Sequence, residues 1–369
     1  MVYSSSNCRH GVFTLSETGP IWTIGRTRNF LSLTISAIFR LFVVYQRGHG
    51  HTLSSAPWLR HIADQRILRF SQHSYARPSI PGKKVENVQS VLITGTSTGI
   101  GQATAVVLAS RGWRVFATMR NLAKTGSLKQ PLKEAGLPSS VELEQLDVTN
   151  EASIQAAVKS ILARTGSKLD AVVHNAGVAA AGAFEDVPES ELRRVMETNF
   201  FGVLGLTRAL LPTFRAQGNG RIVLVSSEAA FMGQPTNSIY CASKWAIEGW
   251  AEAIAYELEA FGIEVILIEP GPYRTEIWKS TPRIQPPGSP YHAWVQQVFR
   301  AGDAHAASMA RDPNEVALVI ANALEVRRPR FRYPVGPFAR LNHFMRGKVP
   351  SRLLRKVTKL YLGLSRTSR

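Results

Sequence analysis

Residues 94–101 read Thr94-Gly95-Thr96-Ser97-Thr98-Gly99-Ile100-Gly101, a glycine-rich turn set directly between an apolar run (88–94, VQSVLIT) and a helical pattern (99–111, GIGQATAVVLASR). This feature constrains the fold more than any other in the chain. A short apolar run that ends in glycines predicts a strand buried on both faces. Glycine is needed where the chain bends sharply and where backbone must come close to a pyrophosphate. The helix that opens on the turn then offers free N–H groups and a partial positive charge to the phosphates. A glycine turn alone is also a common tight loop, so its weight depends on the pattern of the chain beyond it.

That pattern is an alternation. Strands are predicted at 114–119 (RVFATM), 141–147 (VELEQLD), 170–175 (DAVVHN), 221–226 (RIVLVS) and 263–270 (IEVILIEP), with a seventh within 327–335. Helical patterns fill the gaps at 151–165, 189–216, 237–261 and 314–325. Strands alternating with helices of this length predict an α/β fold: a Rossmann-like, doubly wound parallel sheet of about seven strands in a single catalytic domain, residues 85–335. The stretch 276–312 is expected to be an irregular loop, broken by Pro282, Pro286, Pro287 and Pro290. Its aromatics, Trp278, Tyr291, Trp294 and Phe299, suit either a lid over an apolar ligand or a loop packed on itself.

The second strand ends at Met119-Arg120, and no acid occurs between Val115 and Gly126. A site for NAD places Asp or Glu there for the ribose 2′-hydroxyl. Arg120 can instead pair with a 2′-phosphate, so NADP is the expected cofactor and NAD the alternative. Asp147, closing the third strand, can accept from an adenine amino group, and Asn175-Ala176-Gly177 ends the fourth strand beside the expected cleft. Tyr240 and Lys244 lie four apart, on one face of a helix. A nearby ammonium stabilises a phenolate, so such a pair can exchange a proton with an alcohol or ketone. Ser227, 13 residues before Tyr240, can polarise the same carbonyl. Asn199 falls within a helical stretch, where its side chain could hold a proton-passing water.

With these residues in this order, the chain resembles the short-chain dehydrogenase/reductase family over roughly residues 85–335. The resemblance is carried by the 94–101 turn, Asp147-Val148, Asn175-Ala176-Gly177, Asn199, Ser227, Tyr240 with Lys244, and Pro270-Gly271 with Thr275. It implies hydride transfer between a nicotinamide and an alcohol/carbonyl pair. By match, Tyr240 is the general acid/base, Lys244 lowers its pKa and binds the nicotinamide ribose, Ser227 positions the substrate oxygen, and Asn199 sustains the proton relay. Gly95, Thr96, Ser97, Thr98, Gly99, Ile100 and Gly101 cradle the cofactor, with Val148 beside the adenine-side Asp147. Pro270, Gly271 and Thr275 meet its nicotinamide end. Segments 240–250 and 332–336 are similar to the branch acting on steroids, retinoids and other lipophilic carbonyls. Three departures stand out. His174 replaces a second Asn and is expected to pack. Pro272-Tyr273 is a stiff, bulky insertion expected to narrow the pocket. Cys241, next to Tyr240, is expected to be a small buried residue with no paired base.

The chain has 44 Lys+Arg and 26 Asp+Glu, for a formal net charge of +18. Residues 1–84 hold 11 Lys/Arg and 2 acids, and residues 327–369 hold 13 Lys/Arg and none, while 85–326 hold 20 basic and 24 acidic residues. The basicity therefore belongs to the ends, and the composition of the middle excludes a nucleic-acid-binding surface. No metal site is expected. With only Cys8 and Cys241, no disulfide framework exists, which favours a reducing compartment. The cytoplasm is the expected location.

Residues 1–84 are Arg- and Ser-rich, with one apolar stretch at 30–45 interrupted by Arg40. Three readings compete: an organelle-targeting peptide, a weak membrane anchor, and a disordered extension or sequence upstream of the working protein, the last being preferred. In the basic tail, 336–369, Leu353, Leu354, Val357, Leu360 and Tyr361 recur at helical spacing between cations. The preferred reading is a helix capping the substrate cleft or a subunit interface, in keeping with an expected homo-oligomer; peripheral membrane contact is the rival. The rivals to an NADP-dependent enzyme acting on a lipophilic small molecule are a catalytically idle NADP-binding protein and a basic-tail membrane module.

Overall fold

The computed structural model describes residues 88–137, 141–345, 347–362 and Leu364. The readings of residues 1–84 lie outside the described residues.

Seven parallel strands form the main sheet: β1 Ser90–Thr94, β2 Arg114–Met119, β3 Val141–Gln145, β4 Ala171–His174, β6 Gly220–Val225, β7 Ile263–Pro270 and β9 Arg332–Val335. Their order is β3-β2-β1-β4-β6-β7-β9. The chain runs outward from β1 to β3, then returns across the centre to β4, so the winding reverses between β1 and β4. Crevices for ligands open at the carboxyl ends of strands at such a reversal.

Both faces of the sheet are covered, which is why its strands read as unbroken apolar runs. Helices α1 Gly99–Ser110 and α9 Asn314–Glu325 pack on one face through Ala105, Leu108, Val316 and Ile320, against Val91, Ile93, Ile266 and Ile268. Helices α3 Glu151–Thr165, α5 Gly202–Gln217 and α6 Ser238–Glu259 cover the other through Ile161, Leu206, Phe214 and Ile247, against Leu92, Val172, Ile222 and Leu267. Successive strand residues thus enter opposite cores with the period of two that a pleated strand imposes.

The expected elements are present, with four differences. The single helix expected over 189–216 is α4 Glu189–Met196, a π turn at Glu197–Phe201, and α5. The seventh strand spans only Arg332–Val335. Helix α2 Gly126–Glu134 is an addition to the expected elements: it contains Pro131 and buries only Leu128 and Leu132. The irregular stretch 276–312 contains α8 His292–Met309, beginning just beyond the last of the four prolines and buried through Val295 and Val298. Ahead of it lie a short helix α7 Ile277–Ser280 and strand β8 Arg283–Ile284, paired with β5 Ala181–Gly182. The chain ends in α10 Pro337–Met345 and α11 Ser351–Tyr361. No helix among the described residues is long and apolar enough to cross a membrane.

Candidate active site

The glycine turn is a floor with no room for side chains. Gly95 (φ +70°) and Gly99 (φ +61°) occupy the left-handed region that disfavours other residues. A Cβ on Gly95 would lie 2.8 Å from Ala176 Cα, and one on Gly101 would run into Asn175 Nδ2 and the Gly95 carbonyl. One on Gly99 would lie 3.1 Å from Thr275 Cγ2, so the turn also meets the segment after β7. Hydrogen bonds hold the turn from both sides. Asn175 Nδ2 donates to the Thr94 and Gly95 carbonyls (2.9 and 3.0 Å), and Thr94 Oγ1 accepts from the amides of Asn175 and Ala176 (both 3.0 Å). Thr96 donates from both its amide and its hydroxyl to the Thr118 carbonyl (3.1 Å each). The α1 N-terminus carries no acidic residue in its first turn, and the Thr98 side chain does not cap it. Its amides are therefore left for an anion. A close-approach floor under an uncapped helix start fits a dinucleotide pyrophosphate.

Arg120 is exposed just past β2, one strand from the turn, and its carbonyl accepts from Gln145 Nε2 (3.1 Å). Asp147 Oδ1 accepts from the Thr149 amide (3.0 Å) and hydroxyl (2.7 Å), shaping the end of β3, while Val148 packs under Gly202. Ile100 is half-buried against the core. Ser97 gives its carbonyl to the Ser127 hydroxyl (2.5 Å), a tie to α2 that the sequence pattern does not signal.

At the other end of the cleft, Ser227 follows β6 and accepts the Ala229 amide (3.1 Å). The Ser227 side chain also hydrogen-bonds the Tyr240 phenol. Lys244, one turn further along α6, donates to the Val225 carbonyl (2.8 Å), with its Nζ 5.7 Å from the Tyr240 ring centroid. Burial is the largest influence on both groups: it pushes the phenol up to about 12 and the ammonium down to about 8. The Ser227 hydrogen bond pulls the phenol back down, while Cys241 and Glu228 push it further up.

Asn199 sits buried in the π turn, whose wider backbone interrupts the helix at that point. Its amide brackets Val178, donating to the carbonyl (2.9 Å) and accepting from the N–H (2.8 Å), and donates to Ser243 Oγ (2.9 Å). Ser243 Oγ in turn donates to the Tyr240 carbonyl (2.8 Å). These bonds engage the Asn199 side chain with protein groups rather than holding it free in the cleft. A Cβ on Gly177 would lie 3.4 Å from Asn199 Oδ1 and 3.9 Å from Lys244 Nζ, so the three converge. Pro270 ends β7, and the Gly271 amide donates to the Val335 carbonyl (3.0 Å).

Several residues that the sequence patterns do not single out line the same region. Glu228 follows Ser227; burial raises its carboxyl to about 7, although Asn342 Nδ2 donates to it (3.3 Å). Its Oε2 lies 3.6 Å from where a Gly271 Cβ would be. An acid directly after Ser227 is a visible signal, but its burial depends on α10, which brings Asn342. Trp278 meets Tyr240 edge-on, with ring centroids 5.7 Å apart. Within 276–312, then, Trp278 faces Tyr240, while Tyr291 (bonded to Glu185, 2.9 Å) and Phe299 (under Arg283, 5.1 Å) pin the segment down. Tyr273 is buried beside Gly336 and forms one wall of a cavity of about 540 Å³, with Gly271, Arg274, Arg311 and Phe338. His174 packs as expected: it is buried against Thr207 Oγ1 (3.0 Å), and burial lowers its pKa to about 3. Cys241 is buried, its thiol is pushed up by burial, and its sulfur accepts the Gln234 amide (3.3 Å).

Comparison with known proteins places this arrangement. The profile described as short chain dehydrogenase matches residues 89–285. Human 17-beta-hydroxysteroid dehydrogenase type 1 is 35% identical over 264 residues, covering 66% of this chain and 76% of its own length. Human retinol dehydrogenase 8 is 33% identical over 254 residues, covering 66% and 80%. Among solved structures, a short-chain dehydrogenase from Streptomyces avermitilis matches with a TM-score of 0.63 and 32% identity, covering 76% of this chain and all of that one. A metagenomic short-chain oxidoreductase in complex with NADP matches with a TM-score of 0.52 and 26% identity, covering 66% and 95%. The seven-stranded parallel sheet, the glycine turn at its switch point and the matched profile together make this chain a member of the short-chain dehydrogenase family, an oxidoreductase that resembles its steroid and retinoid branch.

Proposed function

We propose that residues 85–335 form an NADP-dependent oxidoreductase domain acting on the alcohol/carbonyl pair of a lipophilic small molecule, with Tyr240 as general acid/base. The observation that carries this reading is the convergence of Ser227, Tyr240 and Lys244 after β6, with Lys244 Nζ 5.7 Å from the Tyr240 ring centroid and beside Gly177. When bound, the nicotinamide supplies or accepts the hydride. In the reducing direction, Ser227 holds the substrate oxygen by a hydrogen bond and Tyr240 gives it a proton. Lys244, fixed by the Val225 carbonyl, stabilises the phenolate that remains. Asn199 acts at one remove, holding α6 through Ser243 and the 178 backbone against Gly177. Arg120 supports NADP: it is exposed directly after β2, where an NAD site carries an acid, and no acid occurs between Val115 and Gly126. Trp278 against Tyr240 and the names of the steroid and retinol relatives support a lipophilic substrate.

The test is NADPH and NADH oxidation by the purified full chain across steroids, retinals, aliphatic aldehydes and quinones. Turnover of steroids or retinals with NADPH is expected, and preference for NADH would refute the cofactor reading. Tyr240→Phe is expected to lower kcat by at least about a thousandfold while leaving NADPH binding within a few-fold, the share assigned to proton transfer. Retained turnover would overturn the mechanism. Arg120→Ala should weaken NADPH binding by roughly 10- to 100-fold and leave NADH unaffected, the scale of a charge-assisted pair.

A further inference from the structure

Helix α10 has two faces. Ala339 is fully buried and Asn342 bonds Glu228, while the His343 ring stacks edge-on against Phe231 just beyond that turn. This face lies against the reaction centre. The opposite face is exposed: Arg340, Leu341 (41%) and Phe344 (60%), with Lys348 Nζ 3.8 Å over the Phe344 ring. A short turn leads to α11, where Arg352, Arg355, Lys356 and Lys359 are exposed beside Leu360 (46%). Across 327–369 there are 13 Lys/Arg and no acid.

We propose that the outer side of α10 and α11 is a docking face for an anionic lipid bilayer. The charge complement selects an anionic partner. The exposed Leu341, Phe344 and Leu360 among the cations select a bilayer, whose acyl boundary accepts apolar side chains while its headgroups meet Lys and Arg. Nucleic acid would reward the cations but not the leucines and phenylalanine. A second copy of this chain would bring the same acid-free segment against itself, and like charge disfavours that pairing. Because the inner face of α10 touches Glu228 beside Ser227, docking would hold the reaction centre one helix thickness from the lipid. The docking itself does not depend on the substrate; its usefulness rests on the lipophilic-substrate reading.

The test is flotation of the full chain with vesicles of phosphatidylcholine alone or mixed with phosphatidylserine, at low and high salt. The wild type should float with the mixed vesicles at low salt and not with phosphatidylcholine alone. Leu341→Ser with Phe344→Ser, and separately Arg355→Glu with Lys359→Glu, should each lower the bound fraction at least tenfold. Both variants should keep the wild-type melting temperature and turnover of a short soluble carbonyl. Flotation unchanged in both variants would overturn the proposal, since another part of the chain would then be responsible. Failure of the wild type to float, equal affinity for an oligonucleotide, or loss of a dimer in the variants would also overturn it. Flotation without turnover of any lipophilic carbonyl would sink the substrate reading alone; such turnover without flotation would sink docking alone.

Discussion

Glu228 is half-buried and His174 buried, and they bend the pH dependence of stability in opposite senses. The Glu228 carboxyl moves from 4.5 to about 7 because burial disfavours its charged form. Between those values the unfolded chain has released the proton while the folded protein still holds it, so stability falls as pH rises from about 4.5 to about 7. The full effect is on the order of 3 kcal/mol. The His174 imidazole moves from 6.5 down to about 3 for the same reason. There the unfolded chain takes up a proton that the folded protein refuses, so stability falls as pH drops from about 6.5 toward 3. The two slopes partly cancel between pH 4.5 and 6.5, and a raw stability curve would hide both. Glu228→Gln should therefore be read as a difference from wild type. The variant should gain stability progressively from pH 4.5 to 7, measured by urea denaturation at fixed pH. A difference that stays flat would mean that the carboxyl is solvated in the protein. The burial of Glu228 is not readable from the sequence, because its neighbour Asn342 lies 114 residues away on α10.

At the scale of elements, the sequence carries most where one segment is buried on both faces. The turn after β1 is marked by its own glycines and packs against the end of β4, and Gly101 shows how tightly. A methyl group there has no free direction, since Asn175 Nδ2 and the Gly95 carbonyl both occupy it. Gly101→Ala should weaken binding of the nicotinamide cofactor by at least about tenfold and destabilise the fold by roughly 1–3 kcal/mol, the range for overpacking. Isothermal titration with denaturation would check both, and wild-type affinity would show that the floor yields. The elements that stay hidden in the sequence have physical reasons. The π turn around Asn199 lies inside one continuous helical pattern of the sequence, and Gly202 just after it packs closely on Val148, far away in the chain. Helix α2 carries Pro131, which counts against a helix, yet Leu128 and Leu132 are anchored in the core. Prolines at the head of 276–312 make the whole stretch look irregular, although α8 begins beyond them.

At the scale of the molecule, distant elements are tied by a charge cluster with two buried carboxylates at its centre. Arg332 on β9 faces Glu269 on β7 (2.8 Å) and also pairs with Glu248 and Glu252 on α6. Glu269 and Glu248 are almost wholly buried, and His343 on α10 approaches Glu269 to 3.5 Å. One guanidinium thus meets three carboxylates drawn from two elements that reach the candidate site: α6 carries Tyr240 in its first turn, and β7 leads into Pro270-Gly271. No single stretch of sequence announces this, because Glu248 and Arg332 lie 84 residues apart. Removing one partner of a buried ion cluster costs more than the cluster contributes, since the remaining charges stay desolvated. Arg332→Met should therefore destabilise the protein by about 3–5 kcal/mol. Pairing it with Glu248→Gln and Glu269→Gln should recover much of that loss, because the desolvated charges are removed along with the guanidinium. Since β9 meets β7 at its last four residues, the single variant should also lose turnover at temperatures well below its melting point, and the triple variant should regain it. Additive losses in the triple variant, read by urea denaturation, would mean that these charges act independently and that the tie between sheet edge and cleft lies elsewhere.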